Sequence, residues 1–143
     1  MKQNIRTLLI DGHEVARISI INILRDNSDI TIIGETGDGL EAIQIAVSAQ
    51  PDIAILDMGI TDPPALDVLE CITQMSPSCK VLALTMHDDD EYLMPVINAG
   101  ASGYLLKDSA GKELLRAVDL LASGRVYFGQ HAARILADRL KNQ

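Results

Sequence analysis

The segment that decides the fold is PDIAILDMGI, residues 51–60. It contains a short apolar run, Ile53–Leu56, that lacks the alternation of apolar and polar residues typical of a half-exposed strand. Such a run predicts a strand buried on both faces of a parallel sheet. Asp57 follows the run directly, so we expect a carboxylate at the carboxyl end of this strand.

Similar apolar runs lie on either side of this segment, with amphipathic stretches between them that predict helices. The other predicted strands are Thr7–Ile10, Ile30–Gly34, Val81–Leu84 and Gly103–Leu106. The predicted helices are Glu14–Arg25, Gly39–Ala49, Leu66–Met75, Glu91–Ala99 and Ser109–Ser123. Five βα units of this kind imply an α/β fold with a parallel sheet and right-handed crossovers.

The pattern changes after Gly124. Residues 125–129 look extended, and Gln130–Lys141 predicts one further helix. Because five βα units already complete the fold, this helix is an addition that either packs on the domain or leads towards something outside it. We therefore predict one domain over residues 1–124 and a linker or additional helix over residues 125–143.

Composition and charge narrow the class of protein. A chain of 143 residues with 48% hydrophobic residues fits one domain with a full core and excludes a disordered chain. The net charge of −8 argues against direct binding to a nucleic-acid backbone. The two cysteines form neither a disulfide framework nor a zinc motif. With no signal-peptide pattern and no apolar run of about 20 residues, we expect a cytoplasmic protein with no membrane contact.

Polar side chains follow four of the predicted strands. They are Asp11, Asp57, Thr85 and Lys107. In an open α/β sheet, ligands bind beyond the carboxyl ends of the strands, so these residues should lie at one edge. Two carboxylates, a hydroxyl and an ammonium can hold a cation, offer a carboxylate nucleophile and neutralise a transferred phosphoryl group.

At this point the sequence resembles a known family. The segments LLIDGHEVAR, PDIAILDMGI, VLALTMHDDDEY and AGASGYLLKD resemble the signature segments of bacterial response-regulator receiver domains, over roughly residues 5–123. GYLLKD and LTMHDDDEY are similar to the LuxR/NarL-type subfamily, whose receivers are fused to a helix-turn-helix output domain, and GRVYFGQHAARILADRL resembles that subfamily's linker. The resemblance implies a flavodoxin-like, doubly wound (βα)5 sheet with strand order 2-1-3-4-5 and a C-terminal linker helix.

The resemblance also implies a function in two-component signal transduction. Asp57 matches the residue that accepts a phosphoryl group from a sensor histidine kinase. Lys107 matches the lysine that pairs with the phosphoryl oxygens, Thr85 the hydroxyl that hydrogen-bonds the phosphorylated aspartate, and Tyr104 the aromatic residue that changes rotamer with it. We therefore expect a switch rather than an enzyme. The resemblance allows a homodimer, and it implies DNA contact only through an output domain absent from this chain.

The metal-binding residues depart from the family pattern. The family binds magnesium (Mg²⁺) at positions that match Asp11, Asp57 and the carbonyl of Gly59, with a second acid directly after the first strand. Here that second acid, a direct ligand in the family, is Gly12, so we expect Mg²⁺ binding to be weak. His13 commonly follows the acidic pair in this subfamily, and the resemblance gives it no ligand role.

The loop after Asp57 departs as well. Ile60 and Thr61 stand where the family has a Met-Pro pair, Ala65 replaces a glycine, and Asp62-Pro63-Pro64 intervenes. A loop of different shape is predicted, which places the ligand role of the Gly59 carbonyl in question.

Four alternatives to this function are left open or set aside by the sequence. A degenerate receiver that acts as a phosphorylation-independent interaction module stays open, because Gly12 removes an acid. A cobalamin-binding domain is a remote alternative, since Asp11-Gly12-His13 begins its motif but Ala16 stands where the motif needs glycine. The glycines of residues 34–39 have the wrong spacing for a dinucleotide-binding enzyme, and Gly59 stands where a carboxylate-nucleophile phosphatase needs a second Asp.

Overall fold

The sheet contains five parallel strands in the computed structural model, which describes residues 4–86 and 90–142. The strands are β1 (Ile5–Ile10), β2 (Ile30–Thr36), β3 (Ile53–Asp57), β4 (Lys80–Thr85) and β5 (Gly103–Leu106). Their order in the sheet is β2-β1-β3-β4-β5. The expected doubly wound, flavodoxin-like sheet is confirmed, and each predicted strand differs from the observed one by at most two residues at either end.

Helices connect the strands at the predicted places. They are α1 (Glu14–Leu24), α2 (Gly39–Ala49), α3 (Ala65–Met75), α4 (Asp90–Asn98), α5 (Ala110–Ala122) and α6 (Gly129–Lys141). The fifth helix, predicted over Ser109–Ser123, is observed over Ala110–Ala122 with Ser109 at its N-cap position. Lys107–Ser109 form a short 3-10 turn, and the Ser109 side chain makes no capping hydrogen bond. Residues 87–89 of the receiver-like segment lie outside the described residues. Across the two described ranges, every helix is too short or too polar to cross a lipid bilayer.

The core lies on both faces of the sheet, and this explains the absence of alternation in the strand sequences. Successive side chains of a strand point to opposite faces. In β3, Ile55 packs with α1 and α5, whereas Leu56 packs with α2 and α3, and both are fully buried. The sheet is therefore held between two aliphatic layers, and its carboxyl edge carries the polar strand ends.

The segment after residue 124 packs on the domain. Ala132 and Ile135 of α6 are buried in the same cluster as Tyr104 of β5. Tyr127 forms an isolated parallel bridge with Gly103, and its hydroxyl donates a hydrogen bond to a carboxylate oxygen of Glu113. Of the two possibilities that the sequence left open for this helix, packing on the domain is observed. The domain boundary at residue 124 stays a prediction.

Candidate functional site

Three of the predicted side chains meet at the carboxyl edge of the sheet. Asp11 follows β1, Asp57 ends β3, and Lys107 follows β5. The Lys107 Nζ lies 2.8 Å from Asp11 Oδ2 and 3.3 Å from Asp57 Oδ1, so one ammonium bridges two carboxylates. Asp11 is 0% and Asp57 2% exposed, which places this ion-pair cluster below the surface.

Thr85 and Tyr104 lie on the neighbouring strands. Thr85 ends β4, is buried, and stands one residue beyond Leu84, which pairs with Asp57. Tyr104 pairs with Ala83 and is buried in the core beneath α6. The fold thus places Thr85 at the same edge as the acids and Tyr104 between that edge and α6. Their parts in a switch stay predictions.

The two carboxylates differ in their electrostatic surroundings. The Gly59 backbone N–H donates to Asp57 Oδ1 at 3.1 Å, whereas the buried Asp57 Oδ2 has no hydrogen-bond partner in the part of the chain that the structure describes. Burial, together with the charge of Asp11, raises the pKa of Asp57 above its ordinary value. Burial also acts to raise the pKa of Asp11, but hydrogen bonds from Lys107 and from the His13 backbone outweigh it and lower that pKa.

The donor set fits a hard divalent cation. Asp11 and Asp57 offer carboxylate oxygens, the ligands that Mg²⁺ prefers, and the partnerless Asp57 Oδ2 is an oxygen that a cation would satisfy. Gly12 adds no donor. A Cβ at Gly12 would have the Gly37 carbonyl oxygen, 3.9 Å away, as its nearest neighbour, so the position where the second acid is missing has open space around it.

His13 is the residue that the sequence did not assign to the site. Its Nδ1 lies 3.3 Å from Asp11 Oδ1 and 3.8 Å from Asp57 Oδ2, and its backbone N–H donates to Asp11 Oδ1 at 2.9 Å. The sequence does indicate this contact, because His13 comes two residues after Asp11, close enough to turn back towards its carboxylate. The family pattern gives His13 no ligand role, and the cobalamin-binding motif that would use it lacks its glycine at Ala16.

Two further side chains support the site from outside it. The Arg17 guanidinium donates to the Asp11 backbone carbonyl at 2.6 Å, and the Tyr92 hydroxyl donates to the Met58 carbonyl at 3.1 Å. Both bonds fix backbone next to an acid. Sequence reasoning missed them because both residues lie on helices, where only their apolar or polar periodicity was considered.

Opposite stability changes are expected when the two acids are neutralised one at a time. Because the pKa of Asp57 is raised, the folded protein binds a proton on Asp57 more tightly than the unfolded chain does. The free energy of unfolding therefore falls as the pH rises above the ordinary pKa of an aspartate. The lowered pKa of Asp11 means that its charge stabilises the fold, a contribution lost as pH falls. Thermal unfolding at neutral pH without divalent cations should show a higher midpoint for Asp57→Asn and a lower one for Asp11→Asn. Shifts of the same sign in the two variants would contradict this account of the cluster.

Comparison with known proteins agrees with this geometry. Residues 7–119 match the family model of the response regulator receiver domain. The chain is 34% identical over 137 residues to the DNA-binding transcriptional activator DevR/DosR of Mycobacterium tuberculosis, covering 96% of this chain and 63% of that protein. It is 30% identical over 134 residues to the nitrate/nitrite response regulator NarL of Escherichia coli, covering 94% of this chain and 62% of that protein. The chain therefore spans less than two thirds of the length of these relatives.

A solved structure is similar over nearly the whole chain. The two-component response regulator of the LuxR family from Aurantimonas sp. superposes with a TM-score of 0.88 at 26% identity, over 94% of this chain and 96% of that one. The five βα units alone make up a smaller share of the chain than the share that superposes. The superposed region therefore extends past them.

Proposed function

Because the chain belongs to the response regulator receiver domain family, in its LuxR/NarL-type branch, we propose that it is switched by a phosphoryl group that Asp57 accepts from a sensor histidine kinase. The observation that carries this proposal is the state of Asp57. Asp57 is a buried carboxylate at the end of a strand, and the Lys107 ammonium lies beside its Oδ1 atom. Its Oδ2 atom has no hydrogen-bond partner among the described residues.

The chemistry follows from these contacts. An Asp57 carboxylate oxygen attacks the phosphorus of a phosphohistidine, a P–O bond forms, and the P–N bond breaks. The imidazole leaves with the electron pair and takes up a proton. The Gly59 backbone N–H holds the carboxylate in one orientation, and Lys107 places a positive charge where charge accumulates on the phosphoryl oxygens.

We propose Asp11, Asp57 and the Gly59 carbonyl as the groups that hold Mg²⁺ during this step. The bound ion would supply further positive charge beside the phosphoryl oxygens. Because Gly12 contributes no carboxylate, the binding is weak compared with a site that has both acids.

The switch is proposed to run from the site to α6. Thr85 turns its hydroxyl to the phosphorylated aspartate, and Tyr104 moves with it. Since Tyr104 lies in the same buried cluster as Ala132 and Ile135 of α6, this movement changes the surface on which α6 rests. The acidic chain does not itself contact DNA. A kinase, a second copy of the chain and a DNA-binding segment outside it, as in the longer relatives, are the proposed partners, and no enzymatic turnover is needed for the role.

Intact-mass measurement tests the proposal. The chain is incubated with acetyl phosphate, with and without Mg²⁺, and its mass is recorded over time. We expect the mass to increase by one phosphoryl group, and to do so faster when Mg²⁺ is present. Hydroxylamine should reverse the increase, because it cleaves acyl phosphates. An unchanged mass at high Mg²⁺, both with acetyl phosphate and with phosphorylated kinases, would favour the phosphorylation-independent module instead.

A further inference from the structure

We propose that His13 is a direct metal ligand, so that the site selects a first-row transition-metal dication such as Mn²⁺ or Zn²⁺ over Mg²⁺. The inference concerns the ion site of the proposed function and rests on it to that extent. It adds a ligand that the family pattern does not assign, and it changes the class of ion that the site prefers.

The geometry points to one ion shared by three side chains. Single ligand atoms from Asp11, His13 and Asp57 all lie within 4.8 Å of one another. Adjacent ligands at about 2.1 Å from a metal lie about 3.0–3.4 Å apart. The His13 Nδ1 is 3.3 Å from Asp11 Oδ1, which is already within that range, and 3.8 Å from Asp57 Oδ2, which needs a movement of only a few tenths of an ångström.

An unsatisfied buried oxygen gives a second, independent argument. Asp57 is 2% exposed, and its Oδ2 has no hydrogen-bond partner among the described residues. His13, at 3.8 Å, is too far away to hydrogen-bond it. A buried carboxylate oxygen without a partner is costly, and an ion held between these atoms removes that cost. His13 is 72% exposed, so its ring is free to adjust towards the ion.

The choice of ion follows from the nitrogen ligand. Carboxylates bind Mg²⁺ and Mn²⁺ well, whereas imidazole favours the transition metals and binds Mg²⁺ poorly. In this chain an acid is missing at Gly12, and an imidazole from the next residue turns towards the same two carboxylates. The exchange of an oxygen ligand for a nitrogen ligand should lower affinity for Mg²⁺ and keep or raise affinity for Mn²⁺ and Zn²⁺.

Electron paramagnetic resonance of Mn²⁺ tests the ligand directly, without any phosphodonor. In the wild-type chain, pulsed spectra of bound Mn²⁺ should show coupling to a directly bound nitrogen, and His13→Ala should remove it. A Mn²⁺ titration should show roughly 10–100-fold weaker binding for His13→Ala, since even supporting residues around a metal cost that much when lost. Mg²⁺ affinity, measured by competition, should change much less. Glu14→Gln is the matched control, because it alters a neighbouring exposed charge and should leave the nitrogen coupling intact.

The results separate this inference from the proposed function. Wild-type spectra without nitrogen coupling, or coupling that persists in His13→Ala, would overturn the ligand role of His13, whatever the labelling experiment shows. Nitrogen coupling in a chain that no phosphodonor labels would support the metal site and refute the phosphoryl switch. Because the wild-type spectrum is decisive by itself, poor folding of His13→Ala does not remove the test.

Discussion

Asp57→Asn is expected to abolish the mass gain that acetyl phosphate produces. An amide has nearly the shape of the carboxylate, so the core around β3 should stay packed, but it has no anionic oxygen to attack phosphorus. The competing acceptor is Asp11. Its Oδ1 accepts a hydrogen bond from the His13 backbone, its Oδ2 is 2.8 Å from Lys107, and its pKa is lowered, mainly by Lys107 against the effect of burial, which makes it the weaker nucleophile.

A matched control is available on the same loop. Asp62 is an exposed aspartate five residues after Asp57, so Asp62→Asn removes a carboxylate without touching the ion-pair cluster. The control should be labelled at the wild-type rate. Labelling that survives in Asp57→Asn would place the acceptor elsewhere, and peptide mapping of the labelled chain would then show where.

Gly12→Asp is expected to tighten Mg²⁺ binding by about 10–100-fold and to speed labelling by acetyl phosphate. The change restores a carboxylate beside Asp11, and there is room for it, since the atom nearest to a Cβ at this position is the Gly37 carbonyl oxygen at 3.9 Å. Without divalent cations the same change should lower the thermal unfolding midpoint, because a third acid adds like-charge repulsion to a cluster with one lysine.

Gly12→Ala separates charge from backbone effects, since it adds a side chain without a carboxylate. Its Mg²⁺ affinity should stay at the wild-type level. Equal Mg²⁺ affinities of Gly12→Asp and the wild type would mean that another group has already replaced the missing ligand. If His13 is that group, Gly12→Asp should also reduce the preference for Mn²⁺ over Mg²⁺, because an oxygen ligand is restored.

The fold could be predicted from short-range pattern because the three central strands, β1, β3 and β4, are buried on both faces. That burial leaves runs such as Ile53–Leu56 fully apolar, and the runs alternate with helical periodicity. The ends of elements were less predictable, since they depend on a few hydrogen bonds. Ser109 has a good N-cap side chain, but the chain after β5 first makes a 3-10 turn that carries Lys107 towards the acids, and the helix begins only at Ala110.

The site was predictable in part for a similar reason. Strand ends place Asp11, Asp57 and Lys107 at one edge whatever the details of the loops, and the structure brings these three into contact. The contact of His13 depends on the path of the first residues beyond β1, which no periodicity specifies. The docking of α6 through Ile135 depends on tertiary packing. The sequence therefore predicts the helix but not whether it packs on the domain.

The strand order leaves β5 at the margin of the sheet, and an exposed strand margin invites pairing with another chain. Here the segment before α6 covers that margin: the Tyr104 backbone N–H donates to the Tyr127 carbonyl at 2.9 Å, and the Tyr127 N–H donates to the Ser102 carbonyl at 3.0 Å. The tail therefore acts as a sixth, rudimentary strand that protects the protein from edge-to-edge association. A chain that paired with β5 at this margin would therefore have to displace Tyr127 first, so such pairing and the docked position of the tail exclude each other.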